Sequence, residues 1–279
     1  MTTTPPSDLT AWAGAPRPPA QALDGRYVRL EPFDATAHAR ALFKASAAPG
    51  AADRFRWLFE TPPEDEAAFG AWFDKAAAGT DPLFFAVIDK ATGRAEGRQA
   101  LMRIDTTHGV IEIGSILWGP AIARTRVATE ALFLFADLAF TSGYRRFEWK
   151  CNAENAPSRR AAERFGFQFE GIFRQHLVIK GRNRDTAWFS MIDSEWPAIR
   201  RAFEAWLDPG NFGPDGRQRQ RLSDLTRPIL GHRFKKGERV PEAVWKQVPE
   251  RNRRALLSIG RVEEAKTTVK RGRPARKKG

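Results

Sequence analysis

Two stretches decide the fold of this chain: TRVATEALFLFADLAF (residues 125–140) and CNAENAPSRRAAERFGF (151–167). Apolar residues crowd the first stretch at helical spacing, which predicts a buried helix over 125–141. Residues 147–151 predict a strand, and residues 157–164 predict a short helix ended by Gly166. A strand, a helix and a strand in this order form a crossover, which makes one pair of neighbouring strands parallel.

The segments on both sides predict an α+β fold. Before the crossover we expect a strand at 27–30, a helix at 34–46, a helix with Thr61 as N-cap that ends at Gly79, and an antiparallel meander of 83–88, 98–104 and 110–118. After it we expect strands at 167–179 and 186–192 and an amphipathic helix at 196–207. This order predicts a mixed, mostly antiparallel sheet flanked by helices.

The positive charge of the chain is concentrated near its C-terminal end. The 279 residues carry 46 Lys and Arg against 33 Asp and Glu, a net charge of +13. Residues 230–279 hold 16 and 5 of these, which leaves 30 and 28 for the remainder. We predict a disordered N-terminal segment (1–21), one folded domain (22–208), a Pro- and Gly-containing linker (209–229) and a basic extension (230–279).

The basic extension ends in KRGRPARKKG (270–279), whose Arg-Gly-Arg-Pro core resembles an AT-hook of the kind that lies in the A·T minor groove. Residues 230–279 are therefore a candidate for nucleic-acid contact. A solvated tail or a contact with protein is an alternative. The nearly neutral remainder does not support a nucleic-acid role for the whole chain.

Composition and cysteine content exclude several classes. Hydrophobic residues make up 42% of the chain, which excludes wholesale disorder. Cys151 is the single cysteine, so no internal disulfide or cysteine-based zinc cluster can form, and the four scattered histidines predict no metal site. The N-terminal residues do not resemble a secretory signal, and no apolar stretch suffices to span a bilayer. We expect a cytoplasmic protein with no membrane contact.

Four segments together resemble the GNAT superfamily of acyl-CoA-dependent N-acetyltransferases, and within it the RimJ/RimL-like branch. They are EIGSILWG (112–119), 125–140, 151–167 and EGIFRQHLVIKGRNRD (170–185). The resemblance covers residues 22–208. It implies the GNAT fold and transfer of an acetyl group from acetyl-CoA, as co-substrate, to a primary amine. The acceptor would be a protein N-terminus or a small amine.

The resemblance implies that the coenzyme A pyrophosphate binds at residues 123–129, where a helix begins. Free backbone N–H groups and the positive end of the helix dipole favour an anion there. Arg126 stands where the family loop carries glycine; it limits close approach of a phosphate, but its guanidinium can pair with phosphate oxygens. Alternatively, Arg124 and Arg126 are solvated side chains. The expected cofactor-binding residues are Ile113, Gly114, Ser115, Ile116, Arg124, Thr125, Arg126, Val127, Ala128, Thr129, Asn155 and Ser158.

Glu112 is the leading candidate for the general base. An α-amino group has a pKa of about 7.7–8.0, so an acceptor amine must lose a proton before it attacks. Strand alternation places Glu112 among apolar neighbours, where a carboxyl group holds a proton more tightly. A surface ion pair is the alternative. The backbone N–H groups near Gly114 to Ile116 are candidates to polarise the thioester carbonyl.

Ser158 is the candidate general acid for the departing thiolate. Many family members carry a tyrosine in this helix, but neither Tyr27 nor Tyr144 lies there. Ser158 is equally suited to a first helical turn or to simple contact with coenzyme A. The resemblance directs Asn155 at the pantetheine arm, and Asn155 is also suited to be an N-cap. We expect Cys151 to be a buried apolar residue rather than a nucleophile.

The last hairpin carries several polar and charged residues: Arg174, His176, Lys180, Arg182, Asn183, Arg184 and Asp185. In the family this hairpin borders the acceptor groove, so it is a candidate to bind an acidic or carbonyl-rich acceptor. A soluble turn is the plainer interpretation. The alternative to an enzyme is a catalytically idle GNAT scaffold that acts as a nucleic-acid-associated binding module, which the missing loop glycine and the basic extension favour.

Overall fold

A computed structural model of the chain describes residues 9–226. Its eight strands are β1 (Leu23–Asp24), β2 (Val28–Pro32), β3 (Leu83–Asp89), β4 (Arg94–Asp105), β5 (Val110–Trp118), β6 (Arg146–Asn152), β7 (Gln168–Ile179) and β8 (Arg182–Ile192). Its α-helices are α1 (Ala35–Ala47), α2 (Ala51–Phe55), α3 (Glu66–Ala78), α4 (Arg126–Thr141), α5 (Ala156–Phe165), α6 (Trp196–Leu207) and α7 (Leu222–Thr226), with a 3-10 turn at Pro209–Asn211.

The eight strands form one sheet in the order β1-β2-β3-β4-β5-β6-β8-β7. Every neighbouring pair is antiparallel except β5 and β6, which α4 connects as a crossover. The predicted α+β class, with a mixed and mostly antiparallel sheet flanked by helices, is therefore confirmed.

Helices cover both faces of the sheet. Phe135 of α4 is fully buried and packs edge-on against Phe85 of β3 at 5.1 Å between ring centroids. The next residue, Ala86, belongs to a second apolar cluster with Leu42 of α1 and Phe73 of α3. Because successive side chains of a strand point to opposite faces, α1 and α3 cover the face opposite to α4.

β5 and β6 separate at their C-terminal ends. Their pairing runs from Val110 opposite Arg146 to Ile113 opposite Trp149, and it does not continue beyond that pair. β5 continues to Trp118 through a bulge at which Ser115 has a φ of +48°. A non-glycine residue in this conformation is uncommon and is typical of a constrained bulge. The gap between the two strands opens a cleft.

Three element boundaries lie four residues away from the sequence prediction, and one of them is the start of β4 at Arg94 instead of 98. The N-cap of α3 is Asp65, whose Oδ1 accepts from the Ala68 N–H at 2.7 Å, so the predicted cap at Thr61 is wrong. Thr61 and Asp65 both precede an apolar run at similar spacing, and only tertiary packing decides which of them caps the helix. The predicted start of the last strand at 186 is also corrected, because β8 begins at Arg182.

The described part of the predicted disordered segment is ordered. Trp12 Nε1 donates to the Thr107 carbonyl at 2.7 Å. The N–H of Ala15 donates to the Thr106 carbonyl at 2.8 Å, and the Ala15 side chain is buried. The Pro- and Thr-rich composition suggested disorder, but Trp12 and Ala15 supply apolar contacts that attach the segment to the β4–β5 turn. Residues 1–8 of this prediction lie outside the described residues.

The described part of the predicted linker also packs on the domain. Leu222 is buried, and the Thr226 hydroxyl donates to the Arg164 carbonyl at 3.1 Å. Pro209 and Gly210 form a turn that brings the chain back over α5 and α6. Residues 227–229 and the predicted basic extension lie outside the described residues.

Within 9–226, no helix is long and apolar enough to cross a membrane.

Candidate active site

The gap between β5 and β6 opens into a cleft of 1340 Å³. The structure brings most of the predicted site residues together in its walls: Glu112, Ile113, Gly114, Ser115, Ile116, Arg124, Thr125, Arg126, Ala128, Thr129, Asn155 and Ser158. Val127 is the exception, because its side chain packs in the hydrophobic core beneath α4.

α4 begins at the cleft without a capping side chain. Its N-cap, Thr125, uses its hydroxyl to donate to the Ile122 carbonyl at 2.7 Å rather than to cap the helix. Ala128 and Thr129 of the first turn line the cleft. The first-turn N–H groups and the positive end of the helix dipole therefore suit an anion at this end of the cleft.

Arg126 has a role that its sequence position did not reveal. Its guanidinium carbon lies 4.5 Å from the ring centroid of Tyr27 and 4.7 Å from that of Phe212. It is held between two aromatic rings, one from the start of the domain and one from the predicted linker. This contact positions Arg126 at the rim of the cleft and joins the 209–226 segment to α4.

Arg164 is a further cation beside the start of α4, and sequence reasoning missed it. Its Nη1 donates to the Thr129 hydroxyl at 3.3 Å, and its guanidinium lies 4.9 Å from the Trp206 ring centroid. Among the described residues, no carboxylate forms an ion pair with it. Burial lowers the pKa of Arg164 to about 10, so the group remains charged at neutral pH.

Three arginines of the 209–226 segment also line this end of the cleft: Arg217, Arg219 and Arg221. Arg217 pairs with Asp215 at 3.6 Å, and Arg219 and Arg221 add positive charge to the cleft that Arg124 and Arg164 also line. Arginine pairs with phosphate through two parallel N–H donors, so the arrangement is suited to a polyphosphate ligand. The regular spacing of arginines in RQRQR (217–221) was the available signal, but the segment looked like a linker.

Glu112 lies in the centre of the cleft and is 3% exposed. Its Oε2 accepts from Arg103 Nη1 at 2.7 Å and from Lys150 Nζ at 2.9 Å. Lys150 also pairs with Glu148 at 2.6 Å. The expectation of apolar neighbours is therefore wrong, because adjacent strands place two cations against the carboxylate. Glu112 belongs to a network of alternating charges that spans β4, β5 and β6, buried at Glu112, Lys150 and Glu148 and open to solvent at Arg103.

The backbone of β5 from Gly114 to Ile116 lines the cleft next to Glu112. Pairing with β6 ends at Ile113, so the backbone groups of this stretch on the β6 side have no strand partner. Unpaired N–H groups that face a cleft are suited to bind a carbonyl oxygen that gains negative charge.

α5 presents Ser158 to the opposite wall. Asn155 is the N-cap of α5, and its Oδ1 accepts from the Ser158 N–H at 3.2 Å. The Ser158 hydroxyl accepts from Trp149 Nε1 at 3.0 Å. Because the indole nitrogen is only a donor, this bond leaves the hydroxyl proton of Ser158 uncommitted to Trp149. Ser158 uses this proton in a hydrogen bond to the neighbouring Cys151 thiol, so it protonates a ligand in the cleft only when that contact is exchanged.

Cys151 lies beside Ser158 and is buried. Burial raises the pKa of its thiol, against a smaller opposing effect of the hydrogen bond from Ser158. A thiol that resists ionisation is a poor nucleophile. The local geometry is therefore that of a small buried side chain.

The other end of the cleft is bounded by the β7–β8 hairpin and the segment around α2. Lys180 Nζ donates to the Phe55 carbonyl at 2.9 Å, which ties the hairpin to α2. Trp57 and Phe59, which follow α2, line the cleft here together with the buried Arg184 of β8. Within 9–226, no group of His, Cys, Asp and Glu is arranged to hold a metal ion.

Splayed parallel strands beside an uncapped, cation-lined helix start form a cleft suited to a ligand that carries phosphate groups. The family model described as "Acetyltransferase (GNAT) domain" matches residues 28–168, and the chain belongs to this family. The chain is similar to a GCN5-related N-acetyltransferase from Brucella melitensis, with 61% identity, a TM-score of 0.76, and coverage of 77% of this chain and 98% of that one. The predicted GNAT fold is thereby confirmed.

Two further relatives agree with this assignment. A probable acetyltransferase (GNAT family) from Chromobacterium violaceum ATCC 12472 is 45% identical, with a TM-score of 0.64 and coverage of 70% of this chain and 97% of that one. Uncharacterized N-acetyltransferase p20 from Bacillus licheniformis is 34% identical over 117 residues, which are 40% of this chain. The match spans 63% of that relative's length.

Proposed function

We propose that this protein transfers an acetyl group from acetyl-CoA to a primary amine by direct attack within a ternary complex. The observation that carries the proposal is the continuity of one cleft, which joins the cation-lined start of α4 to Glu112 and Ser158. The acceptor is a protein N-terminus, as in the RimJ/RimL-like branch, or a small amine.

The start of α4, with Arg124 and Arg164, binds the pyrophosphate of acetyl-CoA. The pantetheine arm then runs between β5 and β6 past Asn155, and the thioester carbonyl accepts hydrogen bonds from β5 amides near Gly114 to Ile116. This arrangement stabilises the negative charge that develops on the carbonyl oxygen.

Glu112 accepts the proton that the amine loses, directly or through a water molecule. The nitrogen–carbon bond forms as the carbon–sulfur bond breaks, and Ser158 donates a proton to the departing thiolate. Arg103 and Lys150 hold the Glu112 carboxylate in place. Arg103 and Lys150 also occupy lone pairs of the Glu112 carboxylate that the amine proton needs. Substrate binding must therefore rearrange one of these contacts or use a water relay.

Two measurements test the proposal. Calorimetric titration with acetyl-CoA should give a single binding site, and a screen of amines and peptide N-termini should release free thiol with at least one acceptor. No binding of acetyl-CoA would overturn the proposal and favour the idle scaffold.

Nucleic-acid contact through 230–279 and a cytoplasmic location remain predictions. DNA titration of the full chain against a chain ending at residue 229 tests the first.

A further inference from the structure

Arg184 is a buried cation without an ionic partner at the hairpin end of the cleft. It lies on β8, is 8% exposed and lines the cleft. Its Nε has no hydrogen-bond partner, and no carboxylate in the described part of the chain forms an ion pair with its guanidinium. Its guanidinium carbon lies 5.2 Å from the centroid of the Phe59 ring.

The charged groups around Arg184 do not compensate it. Glu112 and Cys151 are its neighbours of favourable sign, and Arg103 opposes them. Cys151 is a thiol that burial keeps neutral, and the Glu112 carboxylate is already bound by Arg103 and Lys150. A buried charge without a partner is costly, and native proteins rarely retain one unless it meets a ligand or another charge.

The position of Arg184 separates it from the cations that suit coenzyme A. Arg124 and Arg164 lie at the start of α4, whereas Arg184 lies on the hairpin that borders Glu112. An anion bound at Arg184 is therefore close to the group that would accept the proton of the acceptor amine. The walls of the cleft also include Trp57 and Phe59, and the Phe59 ring lies beside Arg184, so this part of the cleft suits a short carbon chain.

We infer that the acceptor is an amine that also carries an anionic group, a carboxylate or a phosphate, which Arg184 binds while the amine faces Glu112. This inference rests on the proposed acetyl transfer and specifies its substrate class. The guanidinium fork can bind either oxyanion through two parallel hydrogen bonds. Binding supplies the ionic partner that Arg184 does not have among residues 9–226.

The chain offers a matched control for Arg184. Arg182 lies two residues away on the same strand and the same face, and it is exposed. Replacing either residue with Gln removes one positive charge from the hairpin. Long-range electrostatic effects are therefore common to both variants, whereas only Arg184→Gln removes a positive charge from the cleft.

The test compares matched acceptors in a thiol-release assay with saturating acetyl-CoA. The pairs are 4-aminobutyrate with 4-aminobutyramide, and phosphoethanolamine with ethanolamine. We expect the wild-type protein to prefer the anionic member of at least one pair by about 10- to 100-fold in kcat/KM, as expected for a charge-assisted bond. Arg184→Gln should abolish the preference and Arg182→Gln should retain it. Which pair responds distinguishes carboxylate from phosphate.

Three results would overturn the inference: equal use of neutral and anionic amines by the wild-type protein, an unchanged preference in Arg184→Gln, or equal losses in the two variants. Each leaves the proposed acetyl transfer intact. Failure of acetyl-CoA to bind the wild-type protein would instead remove the proposed function. Unchanged acetyl-CoA affinity and thermal unfolding of Arg184→Gln assign its defect to the acceptor.

Discussion

Replacing Glu112 with Gln separates a chemical role of this residue from a structural one. Glu112 holds two cations, so any substitution perturbs stability as well as chemistry. Its side chain is 4% exposed, that of Lys150 is 7% exposed, and that of Arg103 is 47% exposed. The bond to Lys150 is therefore the buried one, and the bond to Arg103 is partly screened by solvent.

The expected loss of stability follows from these two bonds. A hydrogen bond to a charged group contributes about 1.5–3 kcal/mol, and a solvent-exposed ion pair contributes about 0.2–1 kcal/mol. Gln can still accept one hydrogen bond, and Lys150 keeps Glu148 at 2.6 Å. We expect Glu112→Gln to lower the free energy of unfolding by about 2–3 kcal/mol. For a domain of this size that is a decrease in Tm of about 4–12 °C.

Glu148 supplies the control. It lies opposite Glu112 in the parallel β5–β6 pair, is similarly buried, and pairs with Lys150 and Arg146, both at 2.6 Å. It is outside the walls of the cleft. Glu148→Gln should cost a similar amount of stability, measured by thermal unfolding at one pH and salt concentration. It should leave thiol release close to the wild-type rate.

The kinetic assay then decides the role of Glu112. A general base contributes about 10²- to 10⁴-fold to rate, so Glu112→Gln should lower kcat by at least 10²-fold at neutral pH, with acetyl-CoA affinity unchanged. Equal effects of the two variants on kcat would show that Glu112 acts through the charge network alone. An unchanged kcat in Glu112→Gln would remove it from the chemistry altogether.

Three further predictions concern the rest of the site and the sheet. Ser158→Ala should lower kcat by about 10²-fold if the hydroxyl protonates the thiolate, and a normal rate in single-turnover thiol release would contradict that role. Arg164→Met should weaken acetyl-CoA binding by about 10-fold or more in calorimetry; retained affinity would exclude it from the phosphate site. The hydrogen bond from Arg146 lowers the pKa of Glu170 below its ordinary value of 4.5, so its stabilising effect is present above that pH and disappears as pH falls through the lowered value. The Tm difference between wild type and Glu170→Gln should therefore shrink on acidification below pH 4.5, and a constant difference would refute the assignment.

Local sequence signals predicted most elements of the fold. The buried helix at 125–141 and the final helix at 196–207 have strong apolar periodicity, and the structure places α4 and α6 there. Gly79 and Gly166 mark the ends of α3 and α5 as expected. The segments 9–21 and 209–226 were harder to predict as ordered. Their apolar residues are few, and their order depends on surfaces that distant elements form.

The candidate site divides in the same way. Glu112 and Asn155 could be placed from strand alternation and from capping preference, since both depend on residues close in the chain. The two cations that contact Glu112 could not be predicted in this way. Arg103 and Lys150 reach it from neighbouring strands, and no local signal specifies the register of those strands. The sequence did not distinguish Arg184 from the other charged residues of the hairpin, because its burial depends on tertiary packing.

The sequence by itself therefore determined the family, the order of the longer elements, and the strand and helix that carry Glu112 and Ser158, whereas the short β1, α2 and α7 were not predicted. Periodicity, caps and turns are properties of neighbours along the chain, and a single sequence records them directly. Tertiary structure alone decided which charges meet. The β5–β6 gap, the network around Glu112, the return of residues 209–226 to the cleft and the uncompensated Arg184 all arise from contacts between segments far apart in sequence, whose free energies depend on burial.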